Sequence, residues 1–225
     1  MTAPADRAQL RIETVVSNPF AENTYILWLE GREDCVVVDP GFEPGKVVRL
    51  LQQNGLTPAA ILLTHGHSDH IAGNAALKEE WPECPLVIGH GDASKLTDPV
   101  ANLSASYGIS LTSPPADRKV AEGDVLSLAG LELSVLETPG HSAGHVVFVL
   151  EGAGATRVIG GDVLFQRSIG RTDFPDGSFE QLRDSIHNKL FTLPADTIVY
   201  PGHGPWTTIG EEQQENPFVG RAAGL

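Results

Sequence analysis

The chain has 225 residues, 41% of them hydrophobic and 20% charged, long enough for a full core and most simply a single domain spanning 1–225. Its formal charge of −14, from 15 basic and 29 acidic residues, is spread along the chain and repels phosphate backbones, which argues against nucleic acid as partner or substrate. No apolar run is long enough to span a bilayer and residues 1–7 lack the apolar stretch of a signal peptide, so a cytoplasmic location without membrane association is expected, with residues 1–8 as a flexible lead-in.

Residues 10–16 alternate as a strand, 23–29 form a second, and 35–38 a third that ends at Asp39-Pro40-Gly41. Helical periodicity follows over 45–53 and is closed by Asn54-Gly55, after which the apolar run 59–63 reads as a buried strand. A helix is predicted over 69–80, stopping before Trp81-Pro82, and 86–88 is another strand. Residues 91–119, rich in Ser, Asn and Asp and carrying Pro114-Pro115, read as a loop-rich excursion in which Lys95, Asn102 and Tyr107 are candidates for a flap. Strands are predicted at 125–128, 131–136, 145–150 and 157–159, a helix over 179–190 and a last strand at 197–200, leaving 211–225 as a short tail. Strands and helices alternate in both halves, which favours an α/β layered fold. The two cysteines, Cys35 and Cys84, show no metal spacing and sit in or beside apolar runs, as buried free thiols of a reducing compartment do.

The chemistry concentrates in Thr64-His65-Gly66-His67-Ser68-Asp69-His70. An extended run entering a tight turn throws His65 and His67 to one side, because strand side chains repeat with period two. Asp69 and His70 follow at the start of a helix-compatible stretch, so one short loop offers two neighbouring groups of ligands. Imidazole nitrogen and carboxylate oxygen suit zinc, iron or manganese, and the absence of cysteine argues against a purely structural zinc. Three later sites share this character: His141 in a Pro-Gly turn after a strand, Asp162 after Gly160-Gly161, and His203 within Tyr200-Pro201-Gly202-His203-Gly204-Pro205. In α/β folds, strand ends are where ligands gather.

In order, type and strand-end context, these motifs resemble the metallo-β-lactamase superfamily over nearly the whole chain. The resemblance implies a four-layer αββα sandwich with a dinuclear site at one edge of two sheets. It implies that His65, His67 and His141 hold the first ion, that Asp69, His70 and His203 hold the second, and that Asp162 bridges them. The cofactor is then two divalent ions, zinc first, with iron or manganese as alternatives. The nucleophile is a metal-bound hydroxide, with Asp69 orienting the attacking water. Asp162 stands where lactamases of one group place cysteine, which disfavours antibiotic hydrolysis, and His67 stands where flavodiiron oxygen reductases place glutamate. Nuclease branches carry an additional domain or exosite not found here.

The stretches 161–165 and 170–174, with Pro201-Gly202-His203-Gly204-Pro205 and Asn216-Pro217-Phe218, resemble the glyoxalase II group and its short bacterial relatives without a C-terminal helical domain. That implies hydrolysis of a small-molecule acyl thioester such as a hydroxyacylglutathione, although the missing domain supplies much of the glutathione site in full-length members. The persulfide dioxygenases share 170–174 and 189–194 and use one iron on two histidines and an aspartate. Here those would be His65 or a near neighbour, His141 and Asp162, and the alternative is an enzyme acting on glutathione persulfide. A hydrolase of another ester or lactone is a further alternative. A non-catalytic metal-binding scaffold is disfavoured because no ligand is missing. Arg167 and Arg171 could reach a substrate carboxylate, with an Arg171–Asp173 ion pair as the favoured alternative for Arg171. Asp39 either contacts a ligand histidine from behind or forms a turn before Pro40-Gly41. His145 reads as a structural hydrogen-bonding residue, and His90 and His187 as ordinary surface or helix positions.

Overall fold

Successive side chains of a strand face opposite sides, so a strand that is apolar throughout must be covered on both faces. Cys35-Val36-Val37-Val38 is such a run, and all four residues are buried. The computed structural model describes residues 9–152 and 154–224 and covers that run from both sides. Val36 and Val38 enter one cluster with Leu133, Val135 and Phe148, while Cys35 and Val37 enter another with Val47, Leu51 and Leu77. The lead-in expected at 1–8 lies outside the described residues.

The first sheet comprises β1 (Leu10–Ser17), β2 (Glu22–Leu29) and β3 (Asp34–Val38), then, after helix α1 (Pro44–Asn54), β4 (Thr57–Leu63). Helices α2 (Ser68–Ile71) and α3 (Asn74–Glu80) follow, then β5 (Leu86–Gly89) and β6 (Arg118–Val120). Its order is β1-β2-β3-β4-β5-β6, antiparallel up to β3 and parallel from there. The second sheet begins with β7 (Val125–Leu128), β8 (Leu131–Glu137), β9 (Val146–Leu150) and β10 (Arg157–Gly161). A small hairpin of β11 (Leu164–Phe165) and β12 (Ser168–Ile169), helix α4 (Phe179–Asn188), β13 (Ile198–Pro201), β14 (Thr207–Thr208) and α5 (Ile209–Glu215) complete the chain. The second sheet runs β14-β13-β10-β9-β8-β7. The sheets share the inner cluster, α1 and α3 cover the outer face of the first, and α4 and α5 supply Leu182, Ile186 and Ile209 to the outer face of the second. This is the expected αββα sandwich.

Three elements differ from their sequence reading. The helix expected over 69–80 is broken after Ile71, because Gly73 N–H donates to Pro40 O at 2.7 Å and a Cβ at Gly73 would lie 2.9 Å from the Pro40 and Gly41 carbonyls. The stretch read as a tail starts inside α5, whose N-cap Thr208 accepts from Glu211 N–H and whose Ile209 is fully buried. The excursion at 91–119 contains two 3-10 turns, His90–Thr97 and Ser104–Tyr107. Lys95 and Asn102, expected in a flap, are buried anchors, and Tyr107 is exposed.

Cys35 and Cys84 are free and buried, and burial pushes their thiols up to about 12 and about 11 respectively. Since the thiolate is the reactive form, neither is expected to react with a disulfide reagent at pH 8 in the native state. Titration should count none before denaturation and two after it.

Candidate metal centre

Most of the chemically active side chains stand past the C-terminal end of a strand. Asp39 follows β3, His65 and His67 follow β4, His141 follows β8, Asp162 follows β10 and His203 follows β13, while Asp69 and His70 lie on α2. The sandwich brings these strand ends together at one edge. Ligand atoms of His65, His67 and His141 lie within 4.8 Å of one another, as do those of Asp69, His70 and His203. Asp162 stands between the two groups. Its Oδ2 is 3.5 Å from His141 Nε2 and 3.6 Å from His203 Nε2, and its Oδ1 is 3.5 Å from His70 Nε2. All seven predicted ligand positions therefore converge. Gly161 permits the approach at φ +48°, where a Cβ would overlap Thr64 Oγ1.

The imidazoles are aimed from behind. Asp39 Oδ1 accepts from Thr64 N–H at 2.8 Å, and its Oδ2 accepts from Thr64 Oγ1 at 2.6 Å and lies 3.0 Å from His70 Nδ1. Thr64 Oγ1 is in turn 3.1 Å from His65 Nδ1. One carboxylate thus orients two rings, directly and through a hydroxyl, and leaves both Nε2 atoms inward. His141 Nδ1 donates to Arg171 O at 2.8 Å and His203 Nδ1 to Phe20 O at 3.1 Å. Outer hydrogen bonds of this kind fix the tautomer and direction of metal-binding histidines. The inward atoms His65 Nε2, His70 Nε2 and Asp162 Oδ1 are buried and have no hydrogen-bond partner among the described residues. Buried polar atoms left unpaired are costly, and a cation is the partner that imidazole nitrogens and carboxylate oxygens can share.

Electrostatics point the same way. Burial pushes His65, His67 and His141 below the ordinary imidazole range, aided for His65 and His67 by neighbouring imidazoles, so they stay neutral donors. Burial also opposes charge on His70, but Asp69, Asp162 and Asp39 outweigh it and hold that ring well above its ordinary value. For Asp69 burial opposes the anion, and His70 and His203 outweigh it and keep the carboxyl ionised. The cage attracts positive charge. The residues present fit a divalent-metal centre.

The other expected residues separate. Arg171 lines the cleft above the cage but is paired with Asp173 at 2.7 Å, and its guanidinium carbon lies 4.5 Å over the Phe174 ring. Arg167 is a correction. It does not line the cleft, because its guanidinium pairs with Glu215 of α5 and its backbone N–H donates to Glu212. His145 accepts from Asp162 N–H at 3.1 Å and meets Thr138 Oγ1 at 2.9 Å, a fully buried strut. His90 is exposed, and His187 donates to Val219 O at 2.7 Å.

Two positioning residues had no local sequence signal. Asp92, fully buried, accepts from Gly66 N–H, Ser142 Oγ and Gly144 N–H at 2.7–2.9 Å and so ties the His65/His67 loop to the His141 loop. Asn23 donates from Nδ2 to Pro201 O at 3.0 Å and Gly204 O at 2.8 Å, and from its backbone to Gly202 O at 2.7 Å. It clamps the His203 turn to the start of β2. Asn23→Ala is expected to weaken metal binding at Asp69, His70 and His203 about 10–100-fold while the other group keeps its affinity. Titration of the metal-free variant, followed by metal analysis, checks this.

A family model for the metallo-beta-lactamase superfamily matches residues 17–203. The chain belongs to the metallo-β-lactamase superfamily. Among relatives, a probable metallo-hydrolase, YqgX of Bacillus subtilis, is 42% identical over 89% of this chain and 93% of its own length. The hydroxyacylglutathione hydrolase GloC of Haemophilus influenzae is 34% identical over 93% and 98%. Among solved structures, the BLEG-1 B3 metallo-beta-lactamase superposes with a TM-score of 0.88 at 38% identity, covering 93% of this chain and 99% of that one. TTHA1623 in a di-iron-bound form gives 0.79 at 39% identity, covering 92% and 100%. The chain is a metallo-hydrolase of this superfamily. No helix among the described residues is long and apolar enough to cross a membrane.

Proposed function

We propose that this superfamily member hydrolyses acyl thioesters, with His65, His67 and His141 holding one divalent ion, Asp69, His70 and His203 a second, and Asp162 shared between them. The observation that carries the reading is the reach of Asp162, whose two oxygens lie 3.5–3.6 Å from imidazoles of both groups. Bound there, the ions would lower the pKa of water towards neutrality and polarise the scissile carbonyl. Asp69 lies at the cleft floor with its carboxyl held ionised, which suits it to accept a hydrogen bond from the attacking water and orient it. Phe174 packs edge-on against His67 and His141 at 5.1 and 5.5 Å and, with Phe165, restricts bulk water at the reacting end. The second group, with Asp69 and His203 3.3 Å apart, could hold a second ion, but both branches keep this ligand set, so thiol release against oxygen uptake is what separates the hydrolase from the one-iron persulfide dioxygenase.

Zinc is the proposed resident on ligand type, and the di-iron form of a relative supports iron as the alternative. Two free buried thiols fit a reducing, cytoplasmic setting. S-lactoylglutathione is the first probe because GloC is named for that class. Thiol release by the metal-loaded protein, well above an Asp162→Ala control, is the expected result. No release from it or from a thioester, ester, lactone and β-lactam panel, together with oxygen uptake on glutathione persulfide, would overturn the proposal.

A further inference from the structure

The walls of the cleft bear on which thiol the substrate carries. The cleft, about 370 Å³, is walled by Phe20, Tyr107, Phe165 and Phe174, and Arg171 is the only lysine or arginine among the described residues that line it. Even that charge is committed, with Nε and a terminal nitrogen donating to Asp173 at 2.9 and 2.7 Å. The other cations nearby in the chain are spent elsewhere. Lys95 is buried against Asp176 at 2.6 Å and Asp92 at 3.6 Å, and Arg167 faces Glu215. Phe20 and Tyr107 meet edge to face at 5.2 Å, and Tyr107 is 53% exposed, with Phe20 its one ring partner among the described residues. Asp69 and Asp162 occupy the floor, and the chain carries a net charge of −14.

A carboxylate entering such a cleft must exchange water for a donor, and unpaired burial of an ion is strongly unfavourable. Glutathione carries two carboxylates and one ammonium group. The cleft offers one guanidinium, already shared, and a surface of aromatic carbon that gains from covering by apolar groups. We propose that the favoured substrate is a thioester whose thiol portion is apolar and carries at most one carboxylate, met by Arg171, with Phe20, Tyr107 and Phe174 as the specificity-determining walls. This inference rests on the hydrolytic reading above. Glutathione thioesters meet the same chemistry with a poorer fit.

The test uses one acyl group, lactoyl, on three thiols: 2-phenylethanethiol, 4-(mercaptomethyl)benzoate and glutathione. Each kcat/KM is normalised to the ester's own hydroxide hydrolysis rate. Both aromatic thioesters are expected to exceed the glutathione ester at least about tenfold, the size that one extra unpaired carboxylate and lost aromatic contact would give. Tyr107→Ala should reduce that preference about fivefold, in line with one aromatic contact, and Arg171→Ala should bring the benzoate down to the phenylethyl ester. A glutathione ester equal to or better than the other two overturns the inference and leaves hydrolysis standing. No turnover of any of the three overturns the thioesterase reading itself.

Discussion

Asp162→Ala is expected to lose both metal ions and to lower turnover at least about a thousandfold, equivalent to roughly 4 kcal/mol of transition-state stabilisation. Its carboxylate reaches imidazoles of both ligand groups, so deleting it removes an anionic donor from each. The fold has little reason to fail. The backbone N–H that binds His145 is unaffected, and Oδ1 has no hydrogen-bond partner among the described residues to lose. Removing this carboxylate relieves its repulsion of Asp69 and Asp39 but also removes its attraction for the charged His70 ring, two effects of opposite sign. The metal-free variant should therefore melt close to the metal-free parent. Loading should separate the two. A ligand at a hundred times its dissociation constant stabilises the native state by about 2.7 kcal/mol, a gain the parent shows and the variant does not. Metals per chain, turnover and melting with and without metal are the measurements. A variant that keeps two ions and parental turnover would falsify the shared-ligand assignment.

What the sequence revealed and what it hid divide by distance along the chain. The runs at β3 and β4 and the turns that follow them are local patterns, and a run buried on both faces with a histidine-rich exit can be recognised without knowing its neighbours. The same holds for α1, which has proline in its first turn and Gly55 in the left-handed region at its end. The break in the 69–80 helix could not be read, because its cause is the Pro40 carbonyl more than thirty residues away. Nor could the placement of Arg167, whose partner Glu215 sits on a helix only seven residues long with Ile209 and Glu212 as its buried positions. Asn23 and Asp92 escaped for the same reason. A single Asn entering a strand and a single Asp in a loop are ordinary turn chemistry until the two sheets are stacked and partners such as Pro201 and Gly144 arrive from the second half of the chain. The ligands are legible locally, and their aiming is not.

Asp92→Ala follows from that division and should have the largest effect on folding of any single change outside the ligands. Three buried donors, Gly66 N–H, Gly144 N–H and Ser142 Oγ, would lose their acceptor at once. Each stranded donor costs about 1–3 kcal/mol. Lys95, buried beside Asp92 at 3.6 Å, would keep only Asp176. Breaking one side of a buried charged network costs about 3–5 kcal/mol, which for a chain of this size lowers the melting temperature by about 10 °C. The metal-free protein should show the full loss, because the defect lies in the scaffold. Asp92→Asn keeps one acceptor oxygen and presents an amide that cannot accept, so it should fall between the parent and Asp92→Ala in stability. Its metal affinity should drop at the His65, His67 and His141 group first, since the two loops it joins carry those rings. If Asp92→Ala melts within 2 °C of the parent, a threshold set by about 1 kcal/mol for a domain of this size, the strut does not hold the loops together. The alignment of His141 with His65 and His67 must then come from Phe174 and the His145 stack.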